Sequence, residues 1–152
     1  MNASSVTNKE SSTVKGAHVV VKMLLRNTGG NILLLRRSAT DTRRSLEWDL
    51  PGGMVEEGED FVTGVVRETK EETGLTVQAN TVRLVYTHTA MRDSGNVCWL
   101  FFVCSGNTTD VTISYEHDQA KWVTLLEGIE MIKYDLQRNF LIYLKDNKLL
   151  VE

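Results

Sequence analysis

The sequence predicts an α/β domain, and three observations carry that prediction. Apolar runs of strand length recur at His18–Arg26, Ile32–Arg37, Val82–Thr89 and Val97–Cys104. Between them, Phe61–Thr73 repeats its apolar residues at helical spacing, with Phe61, Val62, Val65, Val66 and Thr69 on one stripe at about 100° per residue. A second helical spacing, Leu136, Phe140, Leu141 and Leu144, falls within Tyr134–Lys145. Mixed strands and two helices fit an α/β sandwich.

Taken in order, residues 1–15 are polar, rich in Ser and Thr and aperiodic, so they read as a flexible tail ahead of one domain over residues 16–152. The first two strands flank Asn27–Asn31, where Gly29-Gly30 marks the turn of a hairpin. Ser38–Ser45 reads as a loop. Trp48–Leu50 reads as a short strand running into Pro51-Gly52-Gly53, a turn whose backbone can approach a ligand closely. Asp60 is the expected N-cap of the first helix and Gly74 its C′ residue. Leu75–Gln78 and Lys121–Thr124 are further strand-like runs. Cys98 and Cys104 fall on one face of a strand, too far apart to bridge, and are expected as reduced core cysteines.

Composition narrows the function classes. A formal charge of −3 and a pI near 5.7 argue against broad nucleic-acid binding through a basic surface. No apolar run reaches the length of a membrane span, and the first residues lack the apolar core of a signal peptide. The expectation is a soluble cytoplasmic protein, monomeric or homodimeric, acting on a small molecule.

The first helix carries the chemistry. Glu68, Glu71 and Glu72 stand at i, i+3 and i+4, where like charges destabilise by roughly 0.2–0.5 kcal/mol per pair. A divalent cation reverses the sign of that repulsion. Mg²⁺ takes oxygen ligands, keeps several waters and bridges to substrate phosphates, so a carboxylate edge suits it. Metal-assisted phosphate hydrolysis is the implied chemistry. Gly64 projects onto the acidic side, where alanine would be better by about 1 kcal/mol in helix propensity, and reads as space for metal or phosphate.

Gly53, five residues, Glu59, seven residues, then Arg67-Glu68-Thr69-Lys70-Glu71-Glu72-Thr73-Gly74-Leu75 resembles the Nudix box. The one departure is Thr69, where the family usually has an aliphatic residue; Thr is close to Val in shape and can bond its hydroxyl to the preceding turn. The resemblance implies a Nudix-type α/β/α sandwich with a mixed sheet, and a hydrolase of phosphoanhydride bonds using Mg²⁺, with Mn²⁺ as the alternative. It implies Glu71 and Glu72 as principal metal ligands, joined by the carbonyl of Gly53. Glu68 is implied as a further ligand or as the base that deprotonates the attacking water. Arg67 would hold Glu68 and Glu59 in place, a bidentate task that lysine performs poorly. Glu59 is then structural, and Glu56 and Glu57 read as solvated loop charges. Glu116, six residues before Trp122, matches a loop glutamate that reaches the metal in many relatives; it is carried as a ligand and as the alternative base.

The reaction implied by the resemblance is hydrolysis of a diphosphate linkage in a nucleoside diphosphate joined to another group. Trp48, Tyr86, Trp99, Phe101 and Phe102 are candidates for a base slot that read first as core. Arg36, Arg37, Arg43 and Arg44 precede the glycine turn and read equally as phosphate contacts or solvated charges; alternation points Arg36 and Arg37 in opposite directions. His88 reads as a strand histidine. Pro51 is the only proline, so the proline that ADP-ribose hydrolases commonly carry beyond the box is missing. LLLRRS with Arg43 matches part of an upstream signature of coenzyme A hydrolases, without its glycine. The expectation is a (d)NTP pyrophosphohydrolase releasing a monophosphate and pyrophosphate, with oxidised nucleotides among its substrates. The alternatives are hydrolysis of ADP-ribose, nucleotide sugars, dinucleoside polyphosphates or capped RNA, and a non-catalytic nucleotide-binding sensor.

Overall fold

The run Val19–Leu25 is continuous in apolar character, apart from Lys22, because both faces of its strand are covered. The computed structural model describes residues 16–92, 95–106 and 110–150; the expected tail over 1–15 lies outside the described residues. In chain order the elements are β1 (His18–Arg26), β2 (Ile32–Arg37), β3 (Trp48–Asp49), α1 (Phe61–Thr73), β4 (Arg83–Arg92), β5 (Gly95–Ser105), β6 (His117–Val123), α2 (Leu125–Met131) and α3 (Asp135–Asp146).

The strands form a mixed sheet in the order β3-β2-β1-β5-β4, with β6 paired to β2. β1 and β5 run parallel from His18↔Val97 to Arg26↔Ser105, and the remaining pairings are antiparallel. Side chains alternate between two cores. Val21, Met23, Leu33, Leu35, Leu100 and Phe102 pack with Val65 of α1, while Leu24, Ile32, Leu34, Phe101 and Val103 pack with Phe140, Leu141 and Leu144 of α3. The result is the expected α/β/α sandwich.

α1 has the expected bounds for local reasons. Asp60 Oδ1 accepts from the amides of Val62 and Thr63, both at 3.0 Å, and Gly74 ends the helix at φ 73° with its amide on the Lys70 carbonyl. Thr69 is fully buried, and its hydroxyl donates to the Val65 carbonyl at 2.7 Å.

Other boundaries differ from the sequence reading. Leu75–Gln78 forms no strand; Leu75 and Val77 pack as irregular chain against the α1-side core before a 3₁₀ turn at Ala79–Thr81. β6 begins at His117 rather than Lys121, because β2 extends its pairing to Gln119 and, past a bulge, to His117, polar residues that hid the strand. β3 stops at Asp49, and β4 runs from Arg83 to Arg92 instead of Val82–Thr89. Among the described residues there are three α-helices where two were expected. The extra one, α2, is nucleated by a reciprocal capping box in which Thr124 Oγ1 accepts from the Glu127 amide and Glu127 Oε2 accepts from the Thr124 amide. Cys98 and Cys104 are free thiols, Cys104 buried. Among the described residues no helix is long and apolar enough to cross a membrane.

Candidate active site

A wedge in the sheet creates the site. β1 and β2 touch at the single pair Arg26↔Ile32 and then diverge. The chain after β3 fills the gap: Met23 and Val21 donate their amides to the carbonyls of Pro51 and Gly53 at 2.8 and 2.9 Å, and Val55 donates to Val19 at 3.0 Å. Only glycine fits there. Gly52 has φ 131°, and a Cβ on it would lie 2.1 Å from the Val21 carbonyl oxygen. At Gly53 a Cβ would lie 2.7 Å from Glu68 Oε1, so the missing side chain is the space that the Glu68 carboxylate occupies.

Carboxylates of α1 reach the wedge from one side. Glu72, 7% exposed, accepts the Gly52 amide on Oε2 at 2.8 Å. Burial pushes its carboxyl up to about 8, and burial also raises Glu68. Glu71 is exposed. Arg67 ties the group together: Nε and Nη2 donate to the two oxygens of Glu59 at 2.8 and 3.0 Å, and Nη1 donates to Glu68 at 3.1 Å and Glu71 at 3.2 Å. Nη2 also meets the Met54 carbonyl at 3.1 Å, which fastens the helix to the glycine turn. The space at Gly64 is taken by Glu59, whose Oε2 would sit 3.0 Å from a Cβ there; it is not room for metal or phosphate, because the bidentate pair with Arg67 draws Glu59 over that turn of helix. Glu56 stays in the exposed loop, 4.0 Å from Arg67 Nη1.

The opposite side is cationic. Asp49, fully buried on β3, pairs with Lys22 at 3.0 Å, Arg37 at 3.0 Å and Arg44 at 2.6 Å, and accepts from Gln137 Nε2. Burial opposes its ionisation, yet Lys22 and Arg44 hold its carboxyl well below the usual range. Lys22 Nζ also donates to the carbonyls of Leu50 and Gly52 at 3.0 and 2.8 Å, which brings one buried cation beside both Asp49 and the turn. Sequence reasoning missed Lys22, Asp49 and Gln137. A lysine inside the run VVVKMLL was the available signal, since an ionic residue within a buried strand demands a partner. Arg36 and Arg37 do point oppositely: Arg36 bonds Asp118 on the neighbouring strand, and Arg37 turns to Asp49 and Asp41.

Both sides line one cavity of about 960 Å³. It gathers Gly53, Arg67, Glu68, Glu71, Glu72 and Glu116, all six of the sequence-predicted site residues. Glu116 arrives because its loop is pinned to the end of α1, the Thr112 amide bonding the Thr73 carbonyl and the Ser114 amide the Glu72 carbonyl. Arg37, Arg43 and Arg44 face the same space. Of the aromatic candidates Trp99 lines it, with Arg92 over its ring at 5.5 Å, while Phe101 and Phe102 are core. His88 lies exposed on β4 beside Trp99, away from the carboxylates. Burial pushes His117, next to Glu116 in the chain, down to about 4, which leaves a neutral ring near neutral pH.

Among the described residues no three acidic, histidine or cysteine side chains are arranged to hold a metal ion by themselves. The donors instead form an open edge of hard oxygens in a partly desolvated setting. Burial first, then Glu71 beside Glu68 and Glu68 beside Glu72, raise the cost of ionising these carboxylates, and such an edge fits a divalent cation that keeps waters or takes phosphate oxygens.

A family model described as the NUDIX domain matches residues 16–143, and the chain belongs to that family. It is similar to Nudix hydrolase 7 of Arabidopsis thaliana, 31% identical over 121 residues, covering 78% of this chain and 42% of the relative. It is also similar to the asymmetrical bis(5′-nucleosyl)-tetraphosphatase of Caenorhabditis elegans, 29% identical over 126 residues, covering 80% and 86%. The crystal structure of a MutT protein from Methanosarcina mazei superposes with a TM-score of 0.76 at 32% identity, covering 88% of this chain and 96% of that one. The chain thus spans less than half the length of the Arabidopsis relative.

Proposed function

We propose that this protein is a divalent-metal-dependent nucleotide pyrophosphohydrolase that cleaves a (d)NTP, oxidised nucleotides included, to a monophosphate and pyrophosphate. The observation that carries the reading is the bipolar cavity, which the α1 carboxylates and Gly53 line together with Lys22, Arg37, Arg43 and Arg44. A phosphate chain fits such a space, with metal-ligating oxygens on one flank and guanidinium donors on the other. Glu68, Glu71, Glu72 and Gly53, with Glu116 from the loop, would hold Mg²⁺ or Mn²⁺. When bound, the ion neutralises phosphate charge and lowers the pKa of water.

The chain's own residues supply the rest. Glu68 is the proposed base, since Arg67 fixes its orientation through the bond at 3.1 Å. Arg67 acts as a positioning residue, anchored on Glu59 and the Met54 carbonyl. Lys22 steadies the glycine turn through the Leu50 and Gly52 carbonyls. A second reading, hydrolysis of dinucleoside polyphosphates, is favoured by the named activity of the Caenorhabditis relative, of which this chain covers 86%.

The test is release of phosphate or pyrophosphate from a panel of NTPs, oxidised dNTPs, diadenosine tetraphosphate, ADP-ribose and nucleotide sugars, with Mg²⁺ and with EDTA. Metal-dependent pyrophosphate release from NTPs is expected. Binding across the whole panel without turnover would replace the enzyme reading with a nucleotide sensor.

A further inference from the structure

We infer that Arg43, with Arg37 and Arg44, forms a phosphate seat opposite the carboxylate edge, which selects substrates ending in a phosphoryl group over those ending in a sugar. The inference rests on the proposed cleavage of a phosphoanhydride in this cavity and names the substrate class that the cavity prefers.

Two of the three arginines are already fixed in place, yet remain incompletely bonded. Arg37 is held by Asp49 and Asp41, and Arg44 by Asp49 at 2.6 Å and by stacking over Tyr134 at 4.6 Å. Arg37 Nε and Arg44 Nη1 are nevertheless buried without a hydrogen-bond partner, and Glu47 stays 4.0 Å from Arg44 Nη1. Buried guanidinium nitrogens are rarely left in that state. Asp41 Oδ1 accepts the amides of both Arg43 and Arg44, at 2.9 and 2.7 Å, which sets the turn that carries them. Leu46, a few residues on, is held at φ 60°, a conformation uncommon for a residue with a side chain and kept only where the surrounding chain fixes it.

Arg43 completes the seat. Its exposed guanidinium lines the cavity and has no side-chain partner among the described residues. In this corner Arg37 and Arg44 pair with Asp41, Asp49 and Glu47, and Lys22 divides its charge between Asp49 and the α1 carboxylates Glu72 and Glu68, which leaves Arg43 as the cation here without a carboxylate partner among the described residues. An anion brought in by the substrate gives Arg43 its partner, and planar guanidinium forks match the oxygens of a terminal phosphate. A sugar in the same place would present hydroxyls and leave that charge unmet.

The probe is inorganic tripolyphosphate, titrated calorimetrically into the full chain in EDTA at low ionic strength, so that neither metal nor turnover is required. Arg43→Ala should weaken binding roughly tenfold, whereas Arg83→Ala, the same charge removed from β4 outside the cavity, should leave it unchanged. If the panel yields turnover, Arg43→Ala should raise KM for NTPs and leave KM for ADP-ribose as it was. Absence of tripolyphosphate binding, or equal loss in the two variants, overturns the seat. Tripolyphosphate binding lost on Arg43→Ala in a protein that hydrolyses nothing supports the seat and overturns only the enzymatic reading.

Discussion

Two adjacent glycines separate folding from chemistry. A Cβ at Gly52 would meet rigid backbone at 2.1 Å, so Gly52→Ala should cost on the order of 3 kcal/mol or more and lower the melting temperature sharply. The atoms nearest a Cβ at Gly53 belong to the carboxyl end of the Glu68 side chain rather than to backbone. Gly53→Ala should therefore fold with a melting temperature close to the parent, while turnover falls by about 10²-fold through displacement of that carboxylate. The same carboxylate allows the base to be assigned. Glu68→Gln should lower kcat far more than Glu116→Gln at saturating Mg²⁺, without rescue by excess metal, because Glu116 is exposed on a loop whereas Glu68 is clamped by Arg67. The inverse ranking would assign the base to Glu116, and equal losses restored by Mg²⁺ would make both residues ligands.

At the scale of elements, β3 is two residues long and owes its importance to one of them. Asp49 joins β1 through Lys22, β2 through Arg37, the following loop through Arg44 and α3 through Gln137. Asp49→Asn keeps the shape but removes the carboxylate from buried Lys22 and half-buried Arg44 and leaves Arg37 with Asp41 alone. A loss of about 3–5 kcal/mol is expected in chemical denaturation; a loss below about 1 kcal/mol would show that solvent, not Asp49, balances those charges. By contrast α1 is nearly self-sufficient: Asp60, the apolar stripe and Gly74 are all within the segment, which is why its bounds were legible. α2 was not, since seven residues offer less than two turns of periodicity.

For the whole molecule, the charge network sets the acid limit of stability. The Arg37 guanidinium and the amides of Arg44 and Arg43 hold Asp41 well below its ordinary 3.8, and Asp49 is lowered as well. Both carboxyls have folded values below their unfolded ones. Their contribution is therefore present above about pH 4 and is lost as pH falls through that value toward the folded pKa. Denaturation midpoints should decline from about pH 5 to about pH 2.5, and Asp41→Asn should decline less steeply, so that the gap between the two proteins narrows in acid. Parallel slopes would remove Asp41 from the network.

What the sequence determined by itself was local. The helix Phe61–Thr73, its caps, the acid trio at helical spacing and the glycine turn depend on neighbours within a few residues, and periodicity and propensity report such neighbours directly. The strands β1 and β2 were legible for the same reason, as dense apolar runs, broken in β1 by Lys22 alone, on either side of the Gly29-Gly30 turn. Tertiary structure alone decided that β1 and β2 part company, that a glycine turn fills the gap, and that Lys22, Asp49 and Gln137 meet there although 27 to 115 residues of chain separate them. It also gave the space at Gly64 to Glu59 and brought Glu116 to the carboxylates through backbone bonds between a loop and the end of α1. Contacts across such distances depend on how sheet and helix pack, and a buried ionic group shows in sequence only as an isolated charge in an apolar run, with no indication of which distant residue will neutralise it.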